Sequence, residues 1–227
     1  MARWTGVLGL AAIVVQLVGA VVGSGAGSAP AIDDAAKFLA FAKSSHFAST
    51  TVFLLFFIGF ALFIGFNAGL RSIAVAAAPE QEWLATTTFG AGLAMTVIGI
   101  VGLTLGLTAL AVAASSHADA ALIRLLYETE LVFGGAPWLL PAAFYLGAAG
   151  SLTAATRILP RWLALAGWIG SVLVFIAALS AYGSSDPKAF WSANGSVTLV
   201  AFLPFWVWTL CASVVFVRQK GSVAGPR

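Results

Sequence analysis

Ionic groups are what this chain has least of. Lys, Arg, Asp and Glu together make up 8% of its 227 residues, against roughly 25% in an ordinary soluble domain. So few charges could not cover a surface facing water, which excludes a soluble globular domain. Cysteine is nearly missing as well. The one thiol, Cys211, lies in an apolar run, so no intramolecular disulfide can staple the fold. Several chemical signatures are also wanting. Neither histidine, His46 or His117, belongs to an H-E-x-x-H pair, and no C-x-x-C or glycine-rich phosphate loop occurs. Ser151 follows Gly150 but lacks the G-x-S-x-G frame of a nucleophile elbow. The formal charge of +3 comes from dispersed Lys and Arg with no basic tract, so nucleic acid is not an expected partner.

Apolar residues fill the space instead, at 61% of the chain and a mean hydropathy of +1.02. They gather into six runs, 4–23, 47–70, 89–114, 131–155, 162–181 and 197–217, each near the length of about 20 residues that crosses a hydrocarbon core about 30 Å thick. Helices are predicted throughout, because in lipid each backbone N–H and C=O must be satisfied within its own segment or in a closed barrel. Barrel strands alternate apolar and polar residues, and these runs do not. The fold class is therefore all-α, a polytopic membrane bundle of six transmembrane helices forming a single domain. A short helix is predicted in "DDAAKFLAFAK" (33–43). Gly134, Gly135, Pro137 and Pro141 should interrupt the fourth run, and Pro204 should kink the sixth.

Counting Lys and Arg on alternate sides of six crossings puts Arg3, Arg71, Arg157, Arg161, Arg218, Lys220 and Arg227 on the side of both termini. Lys37, Lys43, Arg124 and Lys188 fall opposite. The excess marks the cytoplasmic side, so both termini are predicted there, in a cytoplasmic (inner) membrane. The opposite, outer face carries Asp33, Asp34, Asp119, Glu128, Glu130 and Asp186, and is net acidic. The "SAPA" stretch at 28–31 has the form of a signal-peptidase site, but the apolar run before it is longer than a signal core, and the first span is predicted to be retained.

No Asp, Glu, Lys, Arg or His lies inside the runs except at their ends. Proton relays, voltage sensors and ion-coupled pumps usually need such groups, so those classes lose ground. The candidate residues lie at the outer rim and among aromatic side chains. Arg124 and Glu128 stand four apart on one helical face and can pair. Glu130 is turned roughly 200° from Glu128, with no basic partner on its own face. With His46, His117 and Glu128, Glu130 offers the donor types of a zinc site, though not the spacing. Trp138, Trp168 and Trp206 are candidates to line a pocket for a ring-bearing or acyl ligand. Thr104 and Thr108 share a face near Gly102 and Gly106 and offer the polar path a facilitator would need. The small-residue pairs Gly19 and Gly23, Gly65 and Gly69, and Gly102 and Gly106 are read as packing contacts between helices.

The stretch "LTAATRILPRWLALAGWIGSVLVFIAAL" (152–179) resembles the fourth-to-fifth helix connection of a bacterial membrane family, domain of unknown function four-three-eight-six. The matching residues are Leu159, Pro160, Arg161, Trp162 and Leu163, with Ala164 where the family pattern has glycine. "ARWTGVLGLAAIV" from Ala2 is similar to that family's first helix, and Asp33 or Asp34 to an acid in its first outer loop. The resemblance implies six helices and a bacterial origin, and it brings no catalytic residues with it.

These features favour a non-enzymatic bacterial integral membrane protein that binds an apolar or amphipathic ligand, such as a lipid, or a membrane partner. Glu130, Trp138, Trp168, Trp206, Thr104 and Thr108 are its candidate binding residues. A rival class is a metal-dependent enzyme or a metal or haem protein at the outer face, using His46, His117, Glu128 and Glu130. A third is a small-solute channel through the Thr104 and Thr108 face. Beyond the bilayer itself, the expected partners are a membrane protein or a second copy of the chain.

Overall fold

The computed structural model describes residues 1–25, 35–115, 119–183, 189–192 and 196–219. Outside them lie the 28–31 site, Asp33, Asp34, His117, Asp186, Lys188, Lys220 and Arg227. Among the described residues the chain is helical, without strands. The helices are α1 (Ala2–Gly25), α2 (Ala35–Ser44), α3 (His46–Ala77), α4 (Glu82–Ala114), α5 (Ala120–Gly134), α6 (Ala136–Thr156), α7 (Arg161–Ala178) and α8 (Ser196–Arg218). Six stretches are long and apolar enough to cross a membrane. Large apolar side chains such as Leu165, Val172 and Phe175 on α7 face outward, as a lipid-facing surface requires. The chain is built as a multi-pass membrane protein.

Two helices are longer than a bilayer needs. At 1.5 Å per residue, α3 and α4 reach about 48 and 50 Å, against a hydrocarbon core of about 30 Å. At one end of this pair, here termed the cap end, α2 and α5 pack against them. Ala42, Ala109, Leu110, Ala113 and Ile123 form a small second core there, with Leu39, Phe53, Leu126 and Tyr127 packed on it. Helix α5 starts where Asp119 caps it, its carboxylate accepting from the amides of Ala121 and Leu122 at 2.8 and 3.3 Å. It stops at buried Gly135, whose ψ of −134° no helix allows. Pro137 then opens α6, in the first turn, where a missing N–H costs nothing. The predicted fourth run is thus two helices, with α6 supplying the crossing. Pro141 and Pro204 both sit inside continuous helices.

The main core is aromatic. Phe63, Tyr145, Phe205 and Trp208 meet edge to face, with Phe63 and Phe205 centred 5.0 Å apart at 70°. Helix α1 starts beside the end of α8, since a Cβ on Gly6 would stand 2.8 Å from the Val217 amide. Indole N–H groups tie the helices together. Trp208 donates to the Leu163 carbonyl at 2.9 Å, Trp206 to Gln16 Oε1 at 2.8 Å and Trp168 to Ser151 Oγ at 3.1 Å. The glycine pairs read as packing contacts all face neighbours within the chain. Gly19 and Gly23 meet Phe56 and Val52, Gly65 and Gly69 meet Leu8 and Thr5, and Gly102 and Gly106 meet α5.

Helix α6 ends on Arg157, the one described non-glycine residue with positive φ, at 54°. Its amide bonds the Thr153 carbonyl at 3.0 Å, a left-handed cap that glycine fills without strain. Arg157→Gly is expected to raise stability by about 1 kcal/mol, the penalty an L residue carries in that conformation. Denaturation midpoints of the two proteins in one detergent check it.

Candidate functional site

At the cap end, where α3, α4, α5, α6 and α8 converge, the helices leave a cavity of about 350 Å³. Its origin is a match of two stripes. Phe53, Phe56 and Phe60 lie at i, i+3 and i+7 on one face of α3, opposite Gly99, Gly102 and Gly106 at the same spacing on α4. The helices run antiparallel, so Phe60 meets Gly99 and Phe53 meets Gly106. A Cβ added at Gly99 would stand 2.6 Å from Phe60 Cζ, and one at Gly106 2.7 Å from Phe53 Cζ. Large rings against bare backbone let the helices pack, and the room left beside them is lined further by Phe133, Leu199 and Phe202.

Three polar side chains line this largely apolar wall, Glu130, Trp138 and Thr198. Glu130 comes from the last turn of α5, and a Cβ on Gly106 would touch its Cγ at 3.0 Å. Among the described residues no hydrogen bond or ion pair ends on its carboxyl. Arg124, one turn earlier in α5, is taken by Glu128 at 2.9 Å, as the i, i+4 spacing predicts. The second group is the indole N–H of Trp138, a side chain only 1% exposed. Its ring stacks on Phe202 at 4.1 Å and 22°, yet its Nε1 has no acceptor. Buried donors are almost always paired, so this one marks a place where an acceptor belongs.

Of the candidate binding residues, the structure brings Glu130 and Trp138 together at one cavity. Trp206 lies one helical turn from Phe202 and is tied to Gln16 on α1. Trp168 is half exposed on the α6–α7 surface. Thr104 and Thr108 face away from the bundle, and their hydroxyls donate to the carbonyls of Ile100 and Thr104 at 2.8 and 2.7 Å. A polar path along them would run on the outside of α4, not through the bundle. The proposed metal set does not converge among the described residues: no group of three or more His, Cys, Asp or Glu side chains is placed to hold an ion. Glu128 is in its ion pair, and His46 starts α3, with Nδ1 buried and without a partner.

The aromatic lining from α3 was not singled out in the sequence. Its signal was the i, i+3, i+7 spacing of Phe53, Phe56 and Phe60, which reads equally as a lipid-facing stripe until its glycine counterpart on α4 is set beside it. Comparison with known proteins finds no counterpart: no family model fits the chain, and neither a curated protein nor a solved structure matches it.

Proposed function

We propose that the protein is a non-enzymatic bacterial inner-membrane protein that binds an amphipathic ligand in the cap-end cavity. The Lys and Arg asymmetry puts the cap end outside and both termini in the cytoplasm, so the ligand enters from the outer leaflet or the space beyond it. The observation that carries this reading is the meeting, in one aromatic-walled cavity, of the Glu130 carboxyl and a buried indole N–H, that of Trp138, which has no acceptor. Ligand sites have this character, mostly apolar with a few placed polar groups, and 350 Å³ lies at the small end of their range. The cavity suits a compact molecule and is too small for a two-chain lipid.

Tryptophan fluorescence tests it. An amphiphile carrying a nitroxide quencher, titrated into the purified protein in nanodiscs, is expected to quench in two parts. One part rises linearly with its fraction in the lipid, through exposed Trp162 and Trp168. The other saturates and disappears in Trp138→Phe. A purely linear response, the same in both proteins, would mean the amphiphile meets only the outer surface.

A further inference from the structure

Resting on that reading of the cavity, we infer that its ligand is a compact hydrophobic organic cation whose ammonium group is held by Glu130. The carboxyl lies in a wall made otherwise of aromatic rings, aliphatic side chains, glycine backbone and Thr198. An ionised carboxylate in such surroundings is costly unless a cation or donors meet it, and among the described residues none does. Arg124 is engaged elsewhere. A ligand cation would supply the missing charge.

The surroundings specify the kind of cation. Phe53 and Glu130 both line the cavity and both crowd Gly106, so a group bound beside them meets a carboxylate and a ring together. Alkylammonium ions are recognised by that combination, attracted by the charge and by the ring quadrupole. A strongly hydrated inorganic ion would find too few oxygens. Trp138 Nε1 would stand 3.3 Å from a Gly99 Cβ, and Gly99 is seven residues from Gly106, about 10 Å along the α4 axis. The ligand is thus an ammonium group, an apolar body resting between Phe56, Phe60 and Phe202, and an acceptor about 10 Å away for the indole N–H. A zwitterionic phospholipid head would set its phosphate beside the same carboxylate. The net acidic outer face concentrates cations at the entrance.

The test uses two probes with one body, 4-phenylbutyltrimethylammonium and the neutral 4-phenylbutanol, with the full chain in nanodiscs of zwitterionic lipid. Binding is read as displacement of the saturable Trp138 quenching. The cation is expected to bind about tenfold more tightly than the alcohol, the usual strength of one charge-assisted contact. Glu130→Gln should remove that preference, while Glu130→Asp should keep most of it. Equal binding of the two probes, or a preference surviving in Glu130→Gln, overturns the cation inference with the cavity intact. Failure of both probes to displace the quencher from wild-type protein overturns the cavity reading itself.

Discussion

Gly167→Val is expected to break the α6–α7 pair and cost about 3 kcal/mol, the upper end for an overpacked site. A Cβ at Gly167 would stand 2.8 Å from the Leu146 carbonyl oxygen and 2.9 Å from the Gly150 Cα. One at Gly150 would stand 2.8 Å from the Ala164 carbonyl oxygen. All three obstacles are backbone, so no rotamer change relieves the clash and the helices must separate. Separation is serious here because lipid is as apolar as the side chains and supplies no hydrophobic drive to hold helices together. Close backbone approach supplies the van der Waals contact that does. The Trp168 bond to Ser151 would be lost with it. Gly90→Ala is the control, since nothing lies within 4 Å of a Cβ there, and it should be neutral or slightly stabilising. Unfolding in mixed micelles measures both. Equal stability of Gly167→Val and wild type would show that α6 and α7 are not in contact at these glycines.

The six crossings were legible because lipid allows so few solutions. A run of about 20 apolar residues must be a helix, whatever its neighbours. The cap was not legible. Leu122, Leu125 and Leu126 on α5 would appear the same whether they met lipid or protein, so their spacing does not show what they pack against. The outward direction of Thr104 and Thr108 was hidden for a related reason. Helix α4 is apolar all round, so periodicity does not reveal which face points inward. The inward face is marked by Gly99, Gly102 and Gly106, and the threonines lie off it. Glu130 was legible as an acid without a local partner, because its angle from Glu128 follows from helix geometry alone. That it shares a cavity with Trp138 depends on the break at Gly135, which turns the chain between them, and a sequence does not state the direction of such a turn.

Trp138 is the residue whose loss should do most to the cap end. Trp138→Ala removes the stack on Phe202 and the edge contact with Phe205, centred 5.8 Å away at 88°, and joins the vacated space to the existing 350 Å³ cavity. In water-soluble cores such a truncation costs 3–5 kcal/mol, in part because buried surface is returned to water. A membrane core lacks much of that part, since the unfolded helices still lie in lipid. What remains is lost dispersion contact with neighbours that cannot collapse inward, so about 3 kcal/mol is expected. Trp138→Phe separates the ring from its N–H. It keeps most of the stacked area and deletes a donor that has no acceptor in the folded chain, so its cost should stay near 1 kcal/mol. The comparison that decides is with Leu165→Ala, at a side chain 55% exposed on α7. Reversible unfolding in mixed micelles should rank Trp138→Ala well below both Trp138→Phe and Leu165→Ala. If Trp138→Ala and Leu165→Ala cost the same, Trp138 faces lipid, and the cavity wall it forms with Phe202 is not part of the folded protein.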